Sequence, residues 1–114
     1  MRATTEVGDT ETTLVHGHGG SLPGQGPFMR VSLEIKAGVI QHASYETYLC
    51  PACHHCGKVL CTMVIGHTVV EAEAIDRAGL AATVGPLPRA KAICYSLAVL
   101  ALADALAKLA KEGG

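Results

Sequence analysis

A chain of 114 residues, 49% hydrophobic and 17% charged, is long enough to bury roughly two-thirds of its unfolded surface in one core, so it needs no staple to fold. One Phe, three Tyr and no Trp leave that core to Ala, Val, Leu and Ile, which suits small helical packing. A formal net charge of -1, with nine scattered Lys and Arg, provides no basic stripe to neutralise phosphates, and nucleic acid is not expected as a partner.

Met1 to about residue 13 is polar and rich in Thr, Glu and Asp, with little to bury, so it is expected to be frayed or loosely docked. Its acidic residues stand where a signal peptide would need an apolar run. No uninterrupted apolar stretch approaches the roughly 20 residues that cross a bilayer, so the expectation is a cytoplasmic protein with no membrane partner. Thiols stay reduced in that compartment, and five cysteines, most of them clustered, read as metal binding or catalysis before a disulfide framework.

Leu14 to Pro27 reads as a Gly/Pro-rich loop that opens with a short strand at most, giving a flexible segment over 1–27 and a domain over 28–112. It is either a connector or a mobile lid whose His16 or His18 reaches a site. From Phe28 the pattern has period two: Met29, Val31, Leu33 and Ile35 lie on one face, Arg30, Ser32, Glu34 and Lys36 on the other. Ala37-Gly38 makes a turn and Val39 to Tyr48 forms the second arm of an antiparallel hairpin. His42, on that arm, reads as a surface or cross-strand residue.

The second strand runs into Cys50-Pro51-Ala52-Cys53-His54-His55-Cys56, three thiols and two imidazoles in seven consecutive residues. Pro51 suits the first position of a helix, where its missing N–H would have been unpaired anyway, and the spacing predicts a helix to Ile65. Cys50 then sits at a helix N-terminus, whose partial positive charge stabilises a thiolate. Cys53 and His54, three and four residues on, crowd the face of Cys50, whereas Cys56 rotates away towards Ala52, Val59 and Met63. Cys56 and Cys61 read as small buried hydrophobes and His55 as exposed. The run also fits the covalent haem pattern C-x-x-C-H, disfavoured without an export signal, and a thioredoxin-type C-x-x-C, which lacks its βαβ context.

Gly66 closes the helix, and Thr68-Val69-Val70-Glu71 has the form of a capping box opening an Ala-rich helix to about Leu80. Gly85-Pro86-Leu87-Pro88 is a hard break. Arg89 to Lys111 reads as a long helix with Ile93, Leu97, Leu100, Leu106 and Leu109 as its core stripe. Cys94, near its start, could join Cys50, Cys53 and His54 to give four N/S ligands, the number and softness wanted by Zn²⁺ or an iron–sulfur cluster. Lys91 is either a solvated helix residue or an ammonium that lowers thiol pKa values nearby.

Taken in order, Gly38-Val39-Ile40, Ala43, Tyr48-Leu49-Cys50, Gly66-His67 with Glu71-Ala72, and Leu87-Pro88-Arg89-Ala90-Lys91-Ala92-Ile93-Cys94 followed by Leu97-Ala98 resemble a known pattern. From Met29 to Leu109 the chain resembles the NifU/IscU-type iron–sulfur cluster assembly scaffold. The resemblance implies an α+β fold, with a small antiparallel sheet of two to three strands packed against about three helices. It implies a transient [2Fe–2S] cluster or iron, with zinc as the alternative, sulfur supplied by a cysteine desulfurase, and delivery to apo-protein acceptors. Such a protein works by ligand geometry and is not an enzyme; a homo-oligomer is compatible with it.

By resemblance Cys50 matches the family's middle cysteine, Cys94 the last, and Lys91 the lysine of the Leu-Pro-x-x-Lys run, expected as a cofactor-binding residue. The family's first cysteine and Asp are replaced by Gln25-Gly26-Pro27, and the His before the last cysteine by Ile93. The expected ligand set is therefore relocated to Cys50, Cys94, Cys53 and His54. Two other readings use the same residues: a structural zinc protein with no transfer role, and a thiol or persulfide relay centred on Cys50.

Overall fold

Strands come first, and alternation of apolar and polar residues explains them. The computed structural model describes residues 12–21, 25–26, 28–47 and 51–113, with side chains as far as residue 110. Strand β1 (Thr12–Gly20), β2 (Phe28–Lys36) and β3 (Val39–Thr47) form one antiparallel sheet in the order β1-β2-β3. Val15 faces Leu33 across the first pair, and Ile35 faces Ile40 across the second, where a bulge interrupts the register at Glu34/Ile35. Ala37 and Gly38, with φ of 54° and 77°, make the two-residue turn whose twist matches the flanking strands.

Four helices follow: α1 (Pro51–Val64), α2 (Val69–Glu73), α3 (Arg77–Val84) and, after a 3₁₀ turn at Arg89–Lys91, α4 (Ile93–Gly113). The sheet buries Val15, Met29, Val31, Leu33, Ile35 and Ile40 on one face. Cys53, Cys56, Leu60 and Val64 of α1, with Leu97, Ala98, Ala101, Leu102 and Ala105 of α4, complete that core. The opposite face carries Arg30, Ser32, Glu34 and His42, as period two requires. His42 is exposed and lies across from Glu34, 3.9 Å from its carboxylate, as its alternating position predicts.

The loop expected over 14–27 is corrected for Thr12–Gly20, which is a full edge strand. Glycine richness suggested flexibility, but Gly17 and Gly19 are buried and alternate with Val15. A Cβ on Gly17 would collide with the Ala101 carbonyl oxygen and the Ala105 nitrogen, and one on Gly19 with the Leu97 carbonyl. These glycines let α4 lie directly on the strand backbone. His16 and His18 are held on the sheet: His16 Nδ1 is 2.7 Å from Ser32 Oγ, and the His18 ring stacks on Phe28 while its Nε2–H donates to the Ser21 carbonyl. Neither serves as a lid.

The capping box at Thr68 forms as expected, with Glu71 N–H donating to Thr68 Oγ1 and the Glu71 carboxylate accepting from Thr68 N–H. The single helix expected to Leu80 is instead two. Asp76 takes up an extended conformation and caps α3 through the Gly79 N–H, and the chain turns between the two helices. The connection from α1 to α2 is pinned to β3, where Ile40 N–H donates to His67 O and Gly66 N–H to Ile40 O.

The stripe expected on α4 is corrected in part: Leu97 and Leu106 are buried and Leu109 packs against the core, as expected. Ile93 and Leu100 are 52% and 55% exposed, while Ala98, Ala101 and Ala105 are fully buried. The face that meets the glycines of β1 must be small, so alanine, not leucine, marks its centre. Residues Arg89–Ala110 are, by length and composition, long and apolar enough to cross a bilayer, contrary to the expectation from uninterrupted apolar runs. Here their apolar side packs against β1, β2 and α1.

Candidate functional site

Pro51 opens α1, as its fixed φ and missing N–H favour. Cys50 and its neighbours Tyr48 and Leu49 lie outside the described residues. Burial along α1 follows Cys53, Cys56, Gly57, Leu60, Cys61 and Val64, a stripe of helical period facing the sheet and α4. Cys53 therefore shares a face with Cys56, and His54, one residue round the helix, is exposed. The expected crowding of Cys53 with His54 gives way to this inside–outside split.

Cys94 is the second residue of α4, placed there by the break at Pro86–Pro88 and the 3₁₀ turn. Several contacts hold that first turn against α3. The Tyr95 hydroxyl donates to the Gly85 carbonyl, Arg77 lies over the Tyr95 ring at 5.7 Å, and Arg77 Nε donates to Ser96 Oγ at 3.0 Å. The result brings two sulfurs 41 residues apart in sequence into contact: Cys53 and Cys94 are joined as a disulfide, with Cα atoms 5.0 Å apart. Both are buried, 2% and 1% exposed. Each lies in the first turn of its helix, where the helix dipole favours a thiolate when the pair is reduced.

Around this pair the other sequence-derived residues take distinct places. His54 Nδ1 is 3.4 Å from the Tyr45 hydroxyl, and the two rings meet edge to face. Tyr45 reaches α1 because Gly57 has no side chain: a Cβ there would lie 2.5 Å from the Tyr45 ring. His55 is exposed, as its position predicts, and Lys91 is exposed in the 3₁₀ turn. Cys56 and Cys61 are buried, the expected behaviour of small apolar residues, and burial pushes the Cys61 thiol up to about 11. Cys61 is thus held as a thiol, a poor ligand and a poor nucleophile. Among the described residues, no three His, Cys, Asp or Glu side chains converge on a metal-sized point.

Tyr45 is the contact that sequence reasoning missed. Its signal was a strand residue facing α1 opposite a glycine inside a helix, a pairing visible only once the register is known.

The family model for the NifU-like N-terminal domain matches residues 4–113. The chain belongs to that family. Two curated relatives from Archaeoglobus fulgidus, the iron-sulfur cluster assembly scaffold proteins IscU 1 and IscU 2, are each 29% identical over 89 residues. The alignment covers 78% of this chain, which spans 58% of the length of those relatives. Membership of the NifU-like family agrees with the α+β architecture, a three-stranded antiparallel sheet covered on one face by helices. The match begins ahead of Thr12, so β1 falls within the family's span.

Proposed function

We propose that this NifU-like chain is a scaffold on which an iron–sulfur cluster is assembled and from which it is passed on, with Cys53 and Cys94 as the central ligands. The meeting of these two cysteines carries the reading. Residues far apart in sequence, one from each of two helices, present two soft sulfur donors at one buried point, and thiolates are the ligands that iron–sulfur clusters use. A [2Fe–2S] cluster takes four protein ligands, so the pair is completed in this proposal by Cys50 and by His54 once its ring leaves Tyr45 and turns in from the exposed flank of α1.

The cluster is cargo in this scheme, and the chain's own residues supply grip and release. The two helix N-termini stabilise thiolates, and burial of both sulfurs keeps water from them. Lys91 places an ammonium on the segment that leads into Cys94, where it offsets the negative charge of a thiolate-bound cluster. His54, exposed beside Cys53, is the ligand an acceptor can displace first. A cysteine desulfurase as sulfur donor and apo-proteins as acceptors fit this scheme, as does a reducing, cytoplasmic setting. The chain then acts by ligand exchange and not as a catalyst.

The test is anaerobic reconstitution of the dithiol form with ferrous iron and sulfide, followed by iron, acid-labile sulfide and visible absorption. Cys53→Ala is expected to lose most of the bound iron and sulfide, and His54→Ala to retain the cluster but lose it faster to an apo-acceptor. Unchanged iron in Cys53→Ala sinks the ligand set. Tight zinc with no sulfide and no release to an acceptor would make the domain a structural zinc protein instead.

A further inference from the structure

We infer that the Cys53–Cys94 bond is a redox gate on cargo loading: the dithiol takes iron and the disulfide does not. This rests on the proposed scaffold reading and names the regulation of that same site. A sulfur engaged in an S–S bond has no thiolate charge to give a metal. The structure joins the two residues that the ligand set needs most, so occupancy by iron and closure of the disulfide exclude one another.

Two observations separate a gate from a permanent staple. Among the described residues, 18 others besides the two cysteines form a continuous buried core spanning the sheet and the helices, so the fold does not depend on the bridge alone. The first turn of α4 is also held independently, by Tyr95 on Gly85 and by Arg77 on Ser96 and the Tyr95 ring. When the bond opens, Cys94 stays beside Cys53. The Cα separation of 5.0 Å keeps the two sulfurs within bonding reach of one iron. Opening thus yields a preorganised pair of ligands.

The chemistry balances with a dithiol as reductant. One thiolate of the reductant attacks Sγ of Cys53 or Cys94, forms a mixed disulfide and expels the partner sulfur as a thiolate. The second thiol of the reductant then closes its own ring and releases the remaining cysteine. Two electrons pass from the reductant to the protein, two protons follow, and the reductant leaves as a cyclic disulfide. On loading, the two cysteine thiols lose two protons to solvent as two Fe–S bonds form. An oxidised dithiol runs the first exchange backwards and closes the gate.

The experiment uses the full chain and ferrous iron alone. One sample is equilibrated anaerobically with oxidised dithiothreitol, a second with reduced dithiothreitol and then desalted. Disulfides are mapped by alkylation and mass spectrometry, and bound iron is measured. The reduced chain is expected to bind at least tenfold more iron than the oxidised chain. Over a series of dithiothreitol redox ratios, iron uptake and opening of the Cys53–Cys94 bond are expected to share one midpoint, and prior loading with iron to protect both cysteines from oxidation. Equal iron in the two states overturns the gate and leaves the scaffold reading standing, as does a pair that stays dithiol throughout. A bond that opens and closes reversibly while the reduced chain takes no iron overturns the scaffold reading, and the gate with it.

Discussion

Reducing the Cys53–Cys94 bond should lower the stability of the domain by an amount that follows from where the two residues sit in the chain. The bridge closes a loop across a separation of 41 residues. In the loop-entropy model this removes about 13 cal/mol/K from the unfolded ensemble, or about 4 kcal/mol at 25 °C. Domains of this kind have about 5–15 kcal/mol in total, so the reduced form should be clearly weaker yet still folded. At roughly 2.1 cal/mol/K of unfolding entropy per residue, the shift corresponds to about 15 °C in Tm. Helical circular dichroism, followed against temperature for oxidised and reduced protein with the bond mapped in each, measures it directly. Coincident melts, within about 3 °C, from samples that differ in this bond alone would refute the reasoning, and a reduced form that no longer folds would refute the claim that the core stands without it.

Gly17→Ala should destabilise the fold by about 2–3 kcal/mol, since the added methyl meets backbone atoms of α4 and not a movable side chain; a melt at the wild-type temperature would contradict the packing described for β1. Thr68→Ala removes the capping box and should cost about 1 kcal/mol in a urea titration. Cys56 and Cys61 are both buried, and Cys61 is raised to about 11, so both should alkylate slowly at pH 8 and react fully only in denaturant, which a timed iodoacetamide map reveals. Asp104 is held below the ordinary carboxylate value of 3.8 by the His18 backbone N–H first and by Lys108 second. A depressed folded value contributes stability at neutral pH that is lost as pH falls through it, so the gap between wild type and Asp104→Asn should be present at pH 7 and close on acidification below 3.8. An unchanging gap would remove the electrostatic account.

Much of the fold was legible because local signals and tertiary packing agreed. The alternation from Phe28 to Lys36, the turn at Ala37-Gly38, Pro51 at a helix start and the box at Thr68–Glu71 each name a local structure that the core also requires. β1 was not legible. Glycine inside a strand is a local signal for looseness, and it becomes a packing signal only when the alanines of a helix some 80 residues later are known to rest on it. The same coupling hid the phase of α4, whose most buried positions are its smallest. At the site, the meeting of Cys53 with Cys94 was foreshadowed by residue type alone, and as metal ligands; the structure puts the two together as a disulfide, which clustered thiols in a reducing setting had argued against. The separation of Cys53 from His54 was not foreseen, since three- and four-residue spacing from Cys50 says nothing about which flank of the helix the sheet covers.

The bareness of Gly17 and Gly19 also bears on the order in which the chain can fold. The hairpin of β2 and β3, and α1 after it, are built from neighbours in sequence and can form early. The glycine face of β1 has only Val15 beside its glycines with which to gather partners, and Gly17 and Gly19 stay uncovered until residues 97–105 arrive; the bond from His18 N–H to Asp104 spans 86 positions. Docking of α4 on β1 is therefore the late, non-local step, and it is the one that brings Cys94 to Cys53. During synthesis the two sulfurs meet only after most of the helix behind Cys94 has left the ribosome, so the ligand pair reports completion of the fold. Pulse alkylation of chains arrested at increasing length should show Cys53 protected only once residues beyond Ala105 have emerged, and protection at shorter lengths would reverse the order.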